Sequence, residues 1–514
     1  MASIPSEEED SDWGLPGKTT DTDDSEENNI SGSSSQSAGK SAGSTGSGSR
    51  KSLQSGTNVS GNKSLSFNLN LSSKESLHRP KSKSKERVDW NKLPYGIILE
   101  IYSYLDEKDR TKMARTCKTF NAAFHSPILW RKKYVLFAGI RSLETASKSR
   151  VFLSKFGTHI RHLEVECGHP TLHSARPMAQ AVEMFLTHLS KVRGTKILSL
   201  KIDYMDFYHG WRFFEMSRAR LVGALCKFIR KQRHLQFIDI SGAQIDFRDG
   251  GRVLKALAAC HAKNTLQTLQ MKDFFELRYM APHNDSFLAA LRKFTTLKHL
   301  YLNFIYLNQT VLDILGKKLG TTLESLRLVI DSSEPQGRVL SHYDWTNFRE
   351  RSPNCKVIFH FLGMMSQIEY TSALCRGAQV VEVDILSWEG YPNDLEPDTE
   401  RMSEVVMHIA NNFYKDLVRF RISIDHTSED PLDNSLIYLL QKCTKLREFT
   451  INAAMTLATV DTICKLAAQR MPKILDHLEL RVRGLSPENT SQLALITQAY
   501  MNQINTRQLE LRSD

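Results

Sequence analysis

A pattern of alternating apolar and polar residues around an L-x-L core recurs along the chain from about residue 160 onward. Alternation of this kind predicts a half-buried strand, whereas apolar residues at a spacing of three and four predict an amphipathic helix. The clearest predicted strands are 160–165, 235–240, 266–271, 297–302, 323–328, 417–422, 446–451 and 475–480, with weaker copies at 197–202, 357–361, 380–385 and 508–512. Helix-period segments separate them, for example 220–232, 252–262, 311–320 and 435–443.

This strand-and-helix unit returns about every 30 residues. Strands that alternate with helices through short turns pair in parallel. One such unit cannot bury its apolar face alone, but stacked units share a continuous core. We therefore expect an α/β fold in which residues 138–514 form a curved solenoid, with strands on the concave side and helices on the convex side.

Four of the predicted strands carry an L-x-x-L-x-L signature, formed by Leu266, Leu269 and Met271, by Leu297, Leu300 and Leu302, by Leu323, Leu326 and Leu328, and by Leu475, Leu478 and Leu480. The segment resembles leucine-rich repeats. The Asn or Cys expected three residues later is replaced by Phe274, Ile305, Asp331 and Arg483. We therefore expect an irregular, divergent array without the usual Asn ladder.

A different pattern marks the stretch that precedes the repeats. From Ile97 to Leu105 seven of nine residues are apolar or aromatic, and a helix that is apolar nearly all round must be covered on more than one side. Pro94 is suited to a helix start. Asp106, followed three residues later by Asp109, predicts the N-cap of a second helix.

The residues in this stretch fall in a fixed register, namely Leu93, Pro94, Ile98, Leu99, Ile101, Leu105, Asp109, Ala114, Cys117, Phe120, Pro127, Leu129 and Trp130. This spacing resembles the F-box, the module by which substrate receptors dock on the Skp-family adaptor of cullin-based SCF ubiquitin ligases. The match departs from the usual F-box residues at three positions: Gly96 stands where Glu is usual, Arg110 where Leu is usual, and Phe120 where Trp is common. The resemblance implies a small helical F-box at residues 89–137.

The first helix of this module is expected to have two apolar faces with different roles. The inner face is expected to pack on a core of Cys117, Phe120, Phe124, Leu129 and Trp130. The outer face is expected to bind the adaptor through Leu93, Pro94, Ile97, Ile98, Ile101 and Leu105. Cullin and RING subunits would join through that adaptor. The alternative is that the repeat domain covers both faces.

Charge and composition divide the chain at residue 88. Residues 1–88 are rich in Ser and Gly and carry 12 acidic and 11 basic side chains, which predicts a disordered tail. The following residues carry 57 basic and 45 acidic side chains, an interspersed surface that makes nucleic acid an unfavoured partner. We expect no signal peptide and no membrane helix, and a cytoplasmic or nuclear protein.

No motif for bond chemistry stands out. The eight cysteines lack a C-x-x-C pair and indicate reduced core residues. Cys167, His169 and His173 lack a fourth ligand for a metal, so we expect no metal, no cofactor and no catalytic residue. The aromatic cluster at 204–214 either packs under its own loop or binds a partner, and the loops 331–345 and 389–400 are candidate binding elements.

The function that these patterns favour is a non-catalytic, substrate-recognition subunit of an SCF-type ubiquitin ligase. The alternative is a leucine-rich-repeat scaffold with a vestigial F-box. Substrate contacts are expected on the concave face of the strands, from Tyr301, Asn303, Arg327, Arg421 and Arg481. Beyond the F-box, the segments 152–165 and 235–258 resemble the F-box-only subgroup that includes F-box only protein 39.

Overall fold

The computed structural model describes residues 90–203, 205–334, 340–387, 401–424, 431–469, 475–483, 485–501, 503–504 and 508–513. The predicted tail at 1–88 and the loop at 389–400 lie outside the described residues.

The N-terminal module consists of short helices. These are α1 (Tyr95–Ser103), α2 (Glu107–Ala114) and α3 (Lys118–Phe124), with 3-10 turns at Trp90–Lys92 and Pro127–Trp130. Pro94 is the N-cap residue of α1. The carboxylate of Asp106 accepts a hydrogen bond of 2.7 Å from the backbone N–H of Asp109, so the N-cap predicted for the second helix is confirmed.

The remaining described residues contain one parallel sheet whose strand order follows the sequence. Its strands are β1 (Lys132–Phe137), β2 (His162–Cys167), β3 (Ser199–Asp203), β4 (Phe237–Asp239), β5 (Thr268–Gln270), β6 (His299–Asn303), β7 (Ser325–Asp331), β8 (Lys356–Leu362), β9 (Val380–Leu386), β10 (Arg419–Ser423), β11 (Glu448–Ala453), β12 (His477–Val482) and β13 (Gln508–Ser513).

Helices connect the strands. They are α4 (Ser142–Phe156), α5 (Ala175–Lys191), α6 (Glu215–Arg230), α7 (Phe247–Ala259), α8 (Asp285–Lys293), α9 (Gln309–Leu319), α10 (His342–Arg351), α11 (Gln367–Ala373), α12 (Met402–Phe413), α13 (Asp433–Lys442), α14 (Leu457–Gln469) and α15 (Pro487–Tyr500). Their apolar faces and the inward side chains of the strands form one core cluster.

Register explains why the repeat folds as a stack. The first leucine of each L-x-L core pairs with its counterpart on the next strand, so that Leu269 lies beside Leu300 and Leu300 beside Leu326. All three are buried. Each such side chain contributes about 1.5 to 3 kcal/mol of burial free energy, and the contribution depends on the neighbouring repeat being present.

Twelve strands predicted from the alternating pattern are present among the described residues, so the expected α/β class is confirmed: a small helical module followed by a solenoid-like array of parallel strands and helices. The pattern missed β1. Its side chains alternate between exposed and buried positions and it pairs with β2, yet it lies inside the range 89–137 that the sequence assigned to the helical module.

Candidate functional site

Helix α1 presents two apolar stripes that differ in burial. Ile98 and Tyr102, one turn apart, are fully buried in the core of the module. On a neighbouring stripe Ile97 is 49% exposed and Tyr104 is 80% exposed, with Ile101 half-buried between them. Since residues three and four apart share a helix face, the exposed stripe is a continuous apolar surface.

The residues predicted to bind an adaptor therefore divide into three groups. Pro94 and Ile97 are exposed and Ile101 is half-buried. Leu93 and Leu105 pack from partly buried positions against the core. Ile98 is fully buried, so the expectation that it lies on the outer face is wrong: it shares a stripe with Tyr102 rather than with Ile97.

Sequence reasoning also missed three exposed aromatic residues of the module. Trp90, Tyr95 and Tyr104 are all more than half exposed. Tyr104 donates a hydrogen bond of 3.1 Å to the Glu100 carboxylate, and this bond raises the pKa of the tyrosine. Helical spacing alone places Tyr104 beside Ile97 and Ile101, so the signal was present in the sequence.

The inner side of the module is built around Trp130. Its indole stacks on Phe156 with ring centroids 4.5 Å apart and meets Phe124 edge-on at 4.9 Å. The indole N–H donates to the carbonyl of Phe124 at 2.7 Å. Edge-on and offset aromatic contacts of this kind are favourable beyond their buried area. Because Phe156 belongs to α4, the first repeat helix completes the core of the module.

The five residues predicted for this core take different positions. Leu129 and Trp130 are buried in it, while Phe120 and Phe124 pack against it from partly buried positions. Cys117 lies at the start of α3 as its N-cap residue, where its sulfur accepts a hydrogen bond of 3.4 Å from the backbone N–H of Phe120.

Arg110, which replaces the usual Leu, joins two parts of the module. Its Nε donates to the carbonyl of Tyr102 at 2.9 Å, and its Nη1 donates to the carbonyl of Leu129 at 2.8 Å. The guanidinium lies 5.6 Å from the centre of the Trp130 ring. Hydrogen bonds from a charged donor are stronger than neutral ones, so Arg110 fixes α1 against the turn at Pro127–Trp130.

The module is also tied to the sheet. Lys133 on β1 forms an ion pair of 2.6 Å with Glu107 on α2, and its ammonium lies 4.3 Å from the centre of the Phe152 ring on α4. The Lys133 side chain is nearly buried. These contacts fix α2 of the module against β1 and α4.

The second candidate surface is the face of the sheet that points away from the helices, here called the open face. Tyr301 on β6 lies beside Arg327 on β7, with the guanidinium 5.6 Å from the ring centre. Arg481 is paired with Glu479 at 2.7 Å. Arg421 lies 3.9 Å from Asp384. Tyr301 and the three arginines are half-buried, so part of each side chain remains accessible to a partner.

Charges on the open face alternate in sign across the strands. Arg419 on β10 lies between Glu382 at 2.9 Å and Glu448 at 2.5 Å. The hydrogen bond to Glu448 raises the pKa of Arg419, and the same bond lowers the pKa of Glu448. Sequence reasoning missed this ladder, because only strand register places the three residues side by side.

Asn303 does not belong to the accessible part of this face. It is fully buried, so the prediction that it contacts a substrate is wrong. Its amide donates to Asp273 and to Glu334, both at 2.8 Å, and its carbonyl accepts from the backbone N–H of Asp273 at 2.7 Å. A buried amide needs such partners, and Asn303 therefore joins neighbouring repeats.

Other candidates from the sequence are accounted for by packing. Cys167 is fully buried and burial raises the pKa of its thiol to about 12. In the aromatic cluster, Phe207 and Trp211 are buried, whereas Phe213 is exposed. Within the described ranges no group of three or more His, Cys, Asp or Glu side chains could hold a metal ion. No helix in the same part of the chain is long and apolar enough to cross a bilayer.

The fold and these two surfaces define a class of protein: a small helical module with an exposed apolar helix face, followed by an array of strand-and-helix repeats. Comparison with known families agrees with this description. Residues 90–135 match the family model described as F-box-like. The chain thus carries an F-box-like domain followed by an array of parallel strands and helices.

Among curated proteins, the chain is similar to F-box/LRR-repeat protein 21 of Ovis aries, with 26% identity over 290 residues, covering 55% of this chain and 62% of the relative. The protein of the same name from Mus musculus is 25% identical over 284 residues, covering 53% of this chain and 60% of the relative. The one from Bos taurus is 24% identical over 291 residues, covering 55% and 62%. The similarity therefore spans less than two thirds of these relatives.

Proposed function

We propose that this protein is a substrate-recognition subunit of an SCF-type ubiquitin ligase. Its F-box-like domain docks on a Skp-family adaptor, and cullin and RING subunits join through that adaptor. One observation carries the proposal: the segment that matches the F-box-like family model also exposes an apolar helix face. Residues 90–135 match the F-box-like family model, and the same residues leave an apolar helix face exposed around Ile97.

The physical argument for docking is the surface of α1. Pro94, Ile97, Ile101 and Tyr104 form an apolar stripe in water, and covering each large side chain is worth about 1.5 to 3 kcal/mol before the cost of association. The contacts behind the stripe, through Trp130 and α4, hold it in place before any partner arrives. Such preorganisation reduces the entropy lost on binding.

The open face of the sheet is the proposed substrate surface. Tyr301, Arg327, Arg421 and Arg481 supply aromatic and guanidinium groups on a rigid scaffold, and Tyr and Arg dominate the energetics of many interfaces. The subunit contributes no catalytic residue: it raises the effective concentration of substrate lysines near the ubiquitin carrier. The similarity to the subgroup of F-box only protein 39, and a cytoplasmic or nuclear location, stay predictions.

The test is co-purification of the full chain with a Skp-family adaptor. Ile97→Asp places a charge in the middle of the exposed stripe, and we expect it to reduce adaptor recovery by at least about tenfold, because a carboxylate would be desolvated in the interface. Ile98→Asp is unsuitable, since Ile98 is buried and its replacement would unfold the module.

Ile140→Asp is the matched control. Ile140 is as apolar and is also exposed, but it follows β1 outside the F-box-like domain, and its replacement should leave adaptor recovery unchanged. Equal, low recovery for wild type and Ile97→Asp, with both proteins folded by circular dichroism, would refute the ligase proposal and favour a repeat scaffold with a vestigial F-box.

A further inference from the structure

The outer surface of α5 forms the floor of a groove between α4 and α6. Seven residues of α5 line it. Phe185 is one, and the other six lie at the spacing of a single helix face, namely Gln180, Glu183, Met184, Thr187, His188 and Lys191. Residues of α4 and Arg220 of α6 form the two walls. The groove has a volume of about 380 Å³, and it lies on the helical side of the repeat array, away from the open face.

Apolar core side chains lie directly under the groove. Ala146, Leu153 and Phe185 are buried there. Met184 rises from the floor with 43% of its surface exposed. Methionine adapts its shape to different apolar partners. A side chain entering the groove would therefore meet the adaptable thioether of Met184, above a layer of apolar core side chains that are themselves almost fully covered.

The rim of the groove is positively charged. It carries Arg150, Lys191 and Arg220, and its single acidic residue is Glu183. Glu183 already pairs with Arg220 at 3.2 Å. Arg150 and Lys191 are exposed, and neither has an ion-pair partner within the part of the chain that the structure describes. Arg150 and Lys191 are therefore available to pair with acidic groups of a partner.

We propose that this groove binds an amphipathic helix of a partner protein whose apolar anchor residues are flanked by carboxylates. The α5 stripe from Gln180 to Lys191 is about 16 Å long, which matches three turns of a partner helix. Helix-in-groove recognition uses apolar anchors three and four residues apart. A planar membrane surface is a poorer fit, because the apolar base is recessed between helices.

This contact is separate from the proposed adaptor face. Ala146, Arg150 and Leu153 lie on one stripe of α4, whereas Phe152 and Phe156, which pack on the F-box-like domain, lie on another. A variant that alters the groove should therefore leave adaptor recovery unchanged. Failure of one proposal does not imply failure of the other.

The experiment uses the full chain and two labelled helical peptides of about 14 residues. One peptide has Leu at positions i, i+4 and i+7 and Glu at the flanking positions, and its twin has Lys in place of every Glu. By fluorescence anisotropy we expect the acidic peptide to bind at least about tenfold more tightly than its twin. Hydrogen exchange should slow in residues 180–191 of α5.

Arg150→Glu combined with Lys191→Glu should weaken binding of the acidic peptide by about tenfold or more. Lys318→Glu, which replaces an exposed lysine on α9 outside the groove, is the control and should bind as wild type does. Equal binding of the two peptides, or unchanged binding by the double variant, overturns the proposal. A third result would also overturn it: neither peptide binds, wild type and Lys318→Glu bind phosphatidylserine vesicles, and the double variant does not.

Discussion

The F-box-like module and the repeat array bury their apolar residues in different ways. The module has a core of six buried residues, and one of them, Phe156, belongs to the first repeat helix. The array has one continuous core that runs from Val135 on β1 to Ile504 after α15. The small module therefore borrows part of its core from the array, whereas each repeat shares its core with the next.

This difference explains where apolar surface remains exposed. In the array, each repeat is covered on both sides by its neighbours, except for the repeats at the two ends. A module of three short helices has too little interior to cover all its apolar residues, so one stripe of α1 stays in water. The same shortage of interior that leaves the module dependent on α4 also leaves it with a surface suited to a partner.

Phe156→Ala is the strongest way to break the connection between the two regions. It removes the ring that stacks on Trp130, and we expect a loss of about 3 to 5 kcal/mol. Because the module borrows this residue, hydrogen exchange should accelerate across α1 to α3 while the strands near β7 keep their protection. Uniform acceleration throughout the chain would show that the two regions unfold as one unit.

Leu300→Ala tests the shared core of the array. Leu300 is buried between Leu269 and Leu326, and we expect the free energy of unfolding to fall by about 2 to 5 kcal/mol in urea titrations followed by circular dichroism. Leu495→Ala removes an exposed leucine on α15 and should change stability by less than about 0.5 kcal/mol. Similar values for the two variants would contradict the stacked-core description.

Glu334→Gln tests the polar network that joins repeats inside the array. Burial raises the pKa of Glu334 from 4.5 to about 6, against the hydrogen bond from Arg278. A carboxyl with a raised pKa stabilises the fold below pH 4.5, and this contribution is lost as the pH rises through 6.

Relative to wild type, Glu334→Gln should therefore gain about 2 kcal/mol of stability between those two pH values, since glutamine keeps the hydrogen-bond acceptor without the charge. Urea titrations at several pH values measure this gain. Glu324→Gln is the control: Glu324 is exposed and the hydrogen bond from Lys298 lowers its pKa, so it should not reproduce the gain. Stability curves for wild type and Glu334→Gln that stay parallel across this pH range would refute the predicted linkage.

Gly96→Ala has the smallest expected effect and acts within the module alone. A Cβ at Gly96 would meet no atom within 4 Å, so alanine should stabilise α1 by about 0.5 to 1 kcal/mol through reduced backbone entropy in the unfolded chain. Slower hydrogen exchange in α1 is the readout. Gly377→Ala should destabilise instead, because Gly377 has φ +102° and its Cβ would lie 2.8 Å from the Thr346 hydroxyl.

The sequence predicted the array well because its signal is repeated and local. Each L-x-L core alternates inward and outward side chains, and twelve copies reinforce one another. The copy at β1 escaped prediction although Val135 and Phe137 point inward there. This strand lies shortly after the turn at Pro127–Trp130. The predicted boundary of the helical module was placed at residue 137, so β1 was counted as part of that module.

The candidate sites were predicted less completely, for a physical reason. Apolar character marked Ile97 and Ile98 equally, but the choice between surface and core depends on where α3 and the turn at Pro127–Trp130 pack against α1. Polar character likewise marked Asn303 and Arg327 equally. Only the loops that carry Asp273 and Glu334 decide that Asn303 is enclosed while Arg327 stays accessible.

By itself, the sequence determined the order of the elements, the helical module with its surplus of apolar residues, and the period of the repeats, because propensity and spacing are local properties. Tertiary structure alone decided which α1 stripe stays exposed, which two acidic residues lie beside Arg419, and that α5 lies at the floor of a groove with a basic rim. These features arise between residues distant in the chain, where packing and strand register, rather than local pattern, set each neighbour.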